Sequence, residues 1–125
     1  MLNASKLVKC ATVVALGLSS LQAMAETFTF KVTAAGGKYS FNGQVTPVVK
    51  ASVGDTLVFD VSDISGHPFY ITEKADSRKP VQGAVSSAAS STLTLNVSAT
   101  TPKNLFYSCT RHANMGGKGG IQVVD

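Results

Sequence analysis

Between positions 109 and 115 the chain carries a thiol, an imidazole and a thioether, spaced Cys109-x-x-His112-x-x-Met115. These are soft and borderline ligands, suited to copper and not to magnesium or calcium, which take oxygen donors. A trigonal copper site of two imidazoles and one thiolate, with a weak axial thioether, needs one more histidine. The sequence has only one other, His67. His67, Cys109, His112 and Met115 are therefore the candidate metal ligands. The fold must then bring position 67 to a loop that begins 42 residues later.

Residues 1–25 read as a secretory signal. Lys6 and Lys9 make a positive start, positions 10–21 are mostly apolar and uncharged, and Ala23-Met24-Ala25 is an A-x-A cleavage site. The apolar run is shorter than the ~20 residues of a membrane span, and no later segment is long and apolar enough. Cys10 begins the apolar stretch, whereas a lipoprotein cysteine would follow it.

Cleavage would leave a mature chain of 100 residues, 26–125, enough for one domain with its own core. Without Lys6 and Lys9, nine basic residues face seven acids, a net charge of +2. That small surplus, spread along the chain, does not suggest nucleic acid or a membrane surface as partner. Cys10, Met1 and Met24 also leave, so Cys109 and Met115 are the only sulfur residues of the mature chain. An exported protein with one unpaired thiol needs an explanation, because that compartment oxidises exposed thiols. A metal would use the thiolate and protect it. The alternative is a buried structural cysteine with incidental neighbours.

Strand signals run through the mature part. Phe28, Phe30 and Val32 alternate with Thr27, Thr29 and Lys31, and a Gly pair at 36–37 ends the pattern. The stretch 39–45 is a weaker strand broken by Asn42-Gly43, a tight-hairpin signal. Positions 48–51 lead to a turn at Val53-Gly54-Asp55, and Leu57, Phe59 and Val61 share one face of the next strand. His67 has the parity of Phe69 and Ile71, which aims its imidazole toward the core side. The charged run 73–80 reads as a solvated loop and the Ser/Ala-rich 86–91 as a flexible connection with room for a helical turn. Leu93, Leu95 and Val97 mark another strand, 105–109 carries the thiol, and 121–124 closes the chain. About seven short strands without helical periodicity predict an all-β antiparallel sandwich.

The carrying residues support a family resemblance. Val53-Gly54-Asp55-Thr56 before a strand, His67 after the next loop, and the terminal segment from Tyr107 through Cys109, His112 and Met115 to Gly117 resemble the cupredoxins, small blue copper proteins that include plastocyanin, pseudoazurin and amicyanin. The Cys-x-x-His-x-x-Met spacing is similar to the short ligand loop of amicyanin. The resemblance implies a Greek-key β-sandwich over 26–125, one type 1 copper per chain and a periplasmic location. It further implies one-electron transfer between transient redox partner proteins, by a monomer with no stable membrane insertion. In that reading Cys109 couples the metal electronically to the protein, His67 and His112 complete the plane, and Met115 tunes the potential along the axis. Two positions depart from the pattern. Pro68 stands where many relatives have Asn, and it lacks an N–H to donate to the cysteine sulfur. Arg111 stands where relatives often have Pro, and it puts a cation beside His112.

A second function from another class is a module that buffers or delivers copper without redox duty. Such proteins tend toward Met- or His-rich open sites, and one Met with two His favours the carrier. An enzyme is not expected, since no histidine remains to build a second centre. Zinc could also use Cys and His, but Met is a poor zinc ligand, and structural zinc sites draw on paired Cys or His motifs.

Overall fold

The computed structural model describes residues 25–124. Apart from Ala25, the secretory signal read at 1–25 lies outside the described residues. Ten strands follow: β1 (Thr27–Ala35), β2 (Lys38–Phe41), β3 (Gln44–Val45), β4 (Val48–Ser52), β5 (Thr56–Asp60), β6 (Phe69–Thr72), β7 (Ala84–Ser87), β8 (Thr92–Asn96), β9 (Asn104–Cys109) and β10 (Gly120–Val124). They form two sheets, ordered β3-β2-β1-β5-β8-β7 and β4-β10-β9-β6.

The hairpins form where the turn chemistry asks for them. Gly36 and Gly37 link β1 to β2 at φ of 62° and 79°, a conformation that glycine adopts without a Cβ penalty. Asn42 and Gly43 link β2 to β3 at φ of 50° and 87°. There the Asn42 carboxamide oxygen accepts the Lys31 N–H at 2.8 Å, and the Asn42 N–H donates to the Lys31 carbonyl at 2.9 Å. The hairpin expected at Asn42-Gly43 is present.

The all-β sandwich is as expected, but its two sheets are mixed. β1 runs parallel to β5, with Phe28 beside Leu57 and Phe30 beside Phe59. β10 runs parallel to β4. Alternation reports which face a side chain takes and says nothing of strand direction, so the parallel pairs left no mark in the sequence. The sheets hold ten strands where about seven were expected, and one of the unexpected strands is Ala84–Ser87. This is an edge strand antiparallel to β8, with Ala84 opposite Leu95, and its last two residues open the stretch 86–91 that was expected to be a flexible connection. Only Ala84 of this strand packs on the core, so the apolar period that announces a half-buried strand is absent.

Between the sheets lies an aromatic core. The rings of Phe41 and Tyr107 stand 4.5 Å apart, Phe59 and Phe69 5.3 Å, and Tyr39 meets Phe69 edge-on at 5.0 Å. Burying each such side chain contributes on the order of 1.5–3 kcal/mol, and among the described residues the cysteine, Cys109, is in no disulfide. What matters for the site is the β6–β9 pair, whose register sets Phe69 opposite Cys109 and Ile71 opposite Tyr107. That register brings the residues just before β6 to the end of β9.

Candidate metal centre

His67 is placed by a turn. Its N–H donates to the Ile64 carbonyl at 2.9 Å, with Gly66 between them at φ 85°, the glycine position of a type II turn. Ile64 is buried and anchors the turn in the core. Phe69 and Ile71 face inward, and His67, of the same parity, is half-buried at the strand entrance.

Cys109 ends β9 and is 5% exposed. Beyond it the chain turns sharply. The Arg111 N–H donates to the Cys109 sulfur at 3.4 Å, and His112 Nδ1 lies 3.7 Å from the same sulfur. Asn114 takes φ 65°, and its N–H donates to a carboxylate oxygen of Asp76 at 2.8 Å. Met115 is buried, and its carbonyl accepts the Tyr39 N–H at 2.8 Å. Gly117 then leaves at φ 54°. Gly116 is required for a different reason: a Cβ there would run into the Tyr107 carbonyl oxygen.

One ligand atom each from His67, Cys109 and His112 lies within 4.8 Å of the other two. The two imidazole rings sit 4.8 Å apart, tilted by 43°. Buried His67 Nδ1 has no hydrogen-bond partner, the only such side-chain atom among the described residues. Native proteins rarely leave a buried polar atom unpaired without a reason, and a metal bond is a reason. The Cys109–His112 separation matches the geometry around a single ion. With N and S donors at about 2.0–2.3 Å, the corners of a trigonal set lie roughly 3.5–3.8 Å apart, against the 3.7 Å between Cys109 and His112. Two imidazoles and one thiolate suit copper better than a hard cation. The residues present therefore fit a single copper ion.

The exposures within the site are unequal. Cys109 is enclosed and His67 half-buried, while His112 is exposed, as are Arg111, Ala113 and Asn114 around it. The Tyr39 hydroxyl lies close by and donates to the carbonyls of His67 at 2.9 Å and Pro68 at 3.1 Å. Burial, and then the adjacent Cys109 side chain, push its ionisation far above the ordinary range, so the phenol stays a donor.

Of the four residues singled out from spacing, three meet around one point, and Met115 is buried in the same loop. Tyr39 and Asp76 were not anticipated. For Tyr39 a signal existed, since it shares strand parity with buried Phe41 and a buried phenol must find an acceptor. Asp76 stood in a run of charges where nothing distinguished it.

The fold is cupredoxin-like, two β-sheets packed face to face with the loop that carries His112 and Met115 ahead of the last strand. Crystal structures of rusticyanin share it. A histidine-to-methionine variant aligns over 95% of this chain and 95% of its own, with 16% identity and a TM-score of 0.51. Serine-to-aspartate and methionine-to-leucine variants align over 95% and 94%, at 16% identity and a TM-score of 0.50. Rusticyanin from Thiobacillus ferrooxidans covers 95% and 94%, with 15% identity and a TM-score of 0.49. No family model matches the chain, and no curated protein does.

Proposed function

We propose that this chain is a type 1 copper protein that carries single electrons between redox partner proteins in the periplasm. The observation that carries this reading is the unpartnered, buried Nδ1 of His67, set beside Cys109 and His112 with all three donors within 4.8 Å. His67, Cys109 and His112 would hold the metal, with Met115 as the weak fourth ligand. Copper bound there would alternate between Cu(I) and Cu(II), taking up and giving off one electron. The protein keeps the donors in place in either state. β6 and β9 are locked in register, and Asp76 and Tyr39 tie down the loop between them. Cys109 is shielded from water, while exposed His112 offers the short route to a partner's surface.

Among the described residues no helix is long and apolar enough to cross a membrane. Cleavage of an export signal after Ala25 would leave Glu26 as the first residue, next to β1, and deliver the thiol to an oxidising compartment where metal binding protects it.

The test is the visible spectrum of the protein after addition of Cu(II), beside a Cys109→Ser variant. An intense blue or green band, lost in the variant, is expected from thiolate-to-copper charge transfer. Only weak absorption, or the same band in both proteins, would overturn the assignment.

A further inference from the structure

The four proposed ligands come from two separate pieces of chain, the turn carrying His67 and the stretch from Cys109, at the end of β9, to Met115. One residue touches both. Tyr39, in β2 of the opposite sheet, is fully buried. Its backbone N–H donates to the Met115 carbonyl at 2.8 Å, and its carbonyl accepts the Thr46 N–H at 2.9 Å, which seats it firmly at the β2 end. From that seat the phenol reaches across the sandwich. Its single hydrogen is shared between the carbonyl oxygens of His67 and Pro68 at 2.9 and 3.1 Å. The ring is held edge-on to Phe69, two residues beyond His67.

We propose that Tyr39 is the positioning residue that fixes the distance between the two halves of the metal site. Its amide holds the Met115 end and its hydroxyl holds the His67 end. The β6–β9 ladder alone does not do this. It begins at Phe69 and stops at Cys109, so both His67 and Met115 lie outside it. His67 and Pro68 have no N–H left to tie to the loop, since Pro68 lacks one and that of His67 is taken by the Ile64 carbonyl. The carbonyls of His67 and Pro68 are what that segment has to offer, and Tyr39 is the donor they meet. A trigonal copper site depends on holding its donors in one arrangement through both oxidation states, and a rigid aromatic strut with a hydrogen bond at each end supplies that.

This inference rests on the copper reading for its consequence but not for its geometry, so the test has two arms. Tyr39→Phe keeps the ring, the packing and the backbone bond to Met115 and removes only the hydroxyl. Hydrogen exchange on the metal-free proteins is the first arm. The variant is expected to exchange the His67 amide about five- to tenfold faster, as the loss of one buried hydrogen bond allows, with β5 and β8 unchanged. Phe41→Leu serves as control, since it loosens the core without touching either tie. The second arm is the copper-loaded variant, whose charge-transfer maximum and electron paramagnetic resonance splitting should both move from wild type. Unchanged exchange at His67, or a rise no greater there than in β5 and β8, would overturn the positioning role. An unchanged spectrum beside loosened exchange would overturn its bearing on the metal. If wild type itself shows no charge-transfer band, the copper reading falls and the exchange arm alone decides whether Tyr39 is the strut.

Discussion

The backbone N–H of Arg111 donates to the Cys109 sulfur at 3.4 Å. The sequence directs attention to Pro68, which has no N–H to donate, and from it to a thiolate short of one hydrogen bond. The structure supplies a donor from the turn that follows Cys109. A donor on the sulfur stabilises the more electron-rich Cu(I) state, so its removal should lower the reduction potential. Arg111→Pro, which deletes the N–H, is expected to lower the potential of the copper-loaded protein by on the order of tens of millivolts, where about 59 mV is a tenfold change for one electron. Arg111→Ala keeps the amide and should sit closer to wild type. Pro68→Asn adds a donor and should raise the potential. Potentiometry that finds Arg111→Pro and Arg111→Ala equal would discard the amide as a determinant.

Asp55 anchors the start of the fold. It is 5% exposed, and its two carboxylate oxygens accept the Glu26 N–H at 3.1 Å and the Ser52 N–H at 2.9 Å. Hydrogen bonds to a charged acceptor are worth about 1.5–3 kcal/mol, and a lost buried acceptor strands its donors. Asp55→Ala should therefore destabilise the protein by on the order of 2–3 kcal/mol, and Asp55→Asn by less, because one acceptor oxygen survives. Urea denaturation checks both. A midpoint for Asp55→Ala within error of wild type would show that water replaces the carboxylate at no cost.

How much of this was legible beforehand depends on which atoms make each contact. Cys109 and His112 could be singled out as candidate ligands because metal chemistry restricts residue type and spacing, and the fold brings them together with His67. The Asn42-Gly43 hairpin was readable because few residues accept a positive φ. The inward aim of His67 followed from strand parity. The parallel pairing of β1 with β5, and the ties from Arg111 and Asn114, are made by backbone groups or by pairings that any side chain permits, so they leave no compositional trace. β7 was missed because its edge position spares it the apolar alternation that betrays a buried strand.

The link between Asp76 and Asn114 spans 38 residues and holds the segment between His112 and Met115. Asn114 sits at φ 65°, a conformation that a polar partner helps to maintain. Both residues are exposed, so the contribution to global stability should be small, under about 1 kcal/mol. The local effect should be larger. In Asp76→Ala the Asn114 amide is expected to exchange faster while β8 and β10 keep their protection. Equal exchange at Asn114 in the two proteins would mean that the loop holds its shape unaided.

Two phenols tie the stability of the fold to high pH. Tyr39 and Tyr107 are buried, and burial pushes both ionisations well above the ordinary range, with the Cys109 side chain adding to the effect at Tyr39. Each hydroxyl serves as a donor, Tyr107 to the Pro47 carbonyl at 2.6 Å. In the unfolded chain both would ionise near pH 10. Below that pH the folded and unfolded states hold the same phenolic protons and these groups give no pH dependence. Above it the unfolded state has lost protons that the folded state keeps, so stability falls as pH rises. Phenolate absorbance followed together with far-ultraviolet circular dichroism checks this. Two of the three tyrosines are expected to ionise only as the β-sheet signal is lost, and Tyr39→Phe should leave one that does so. Reversible ionisation of all three with the sheet signal intact would mean that the sandwich admits hydroxide to its core without unfolding.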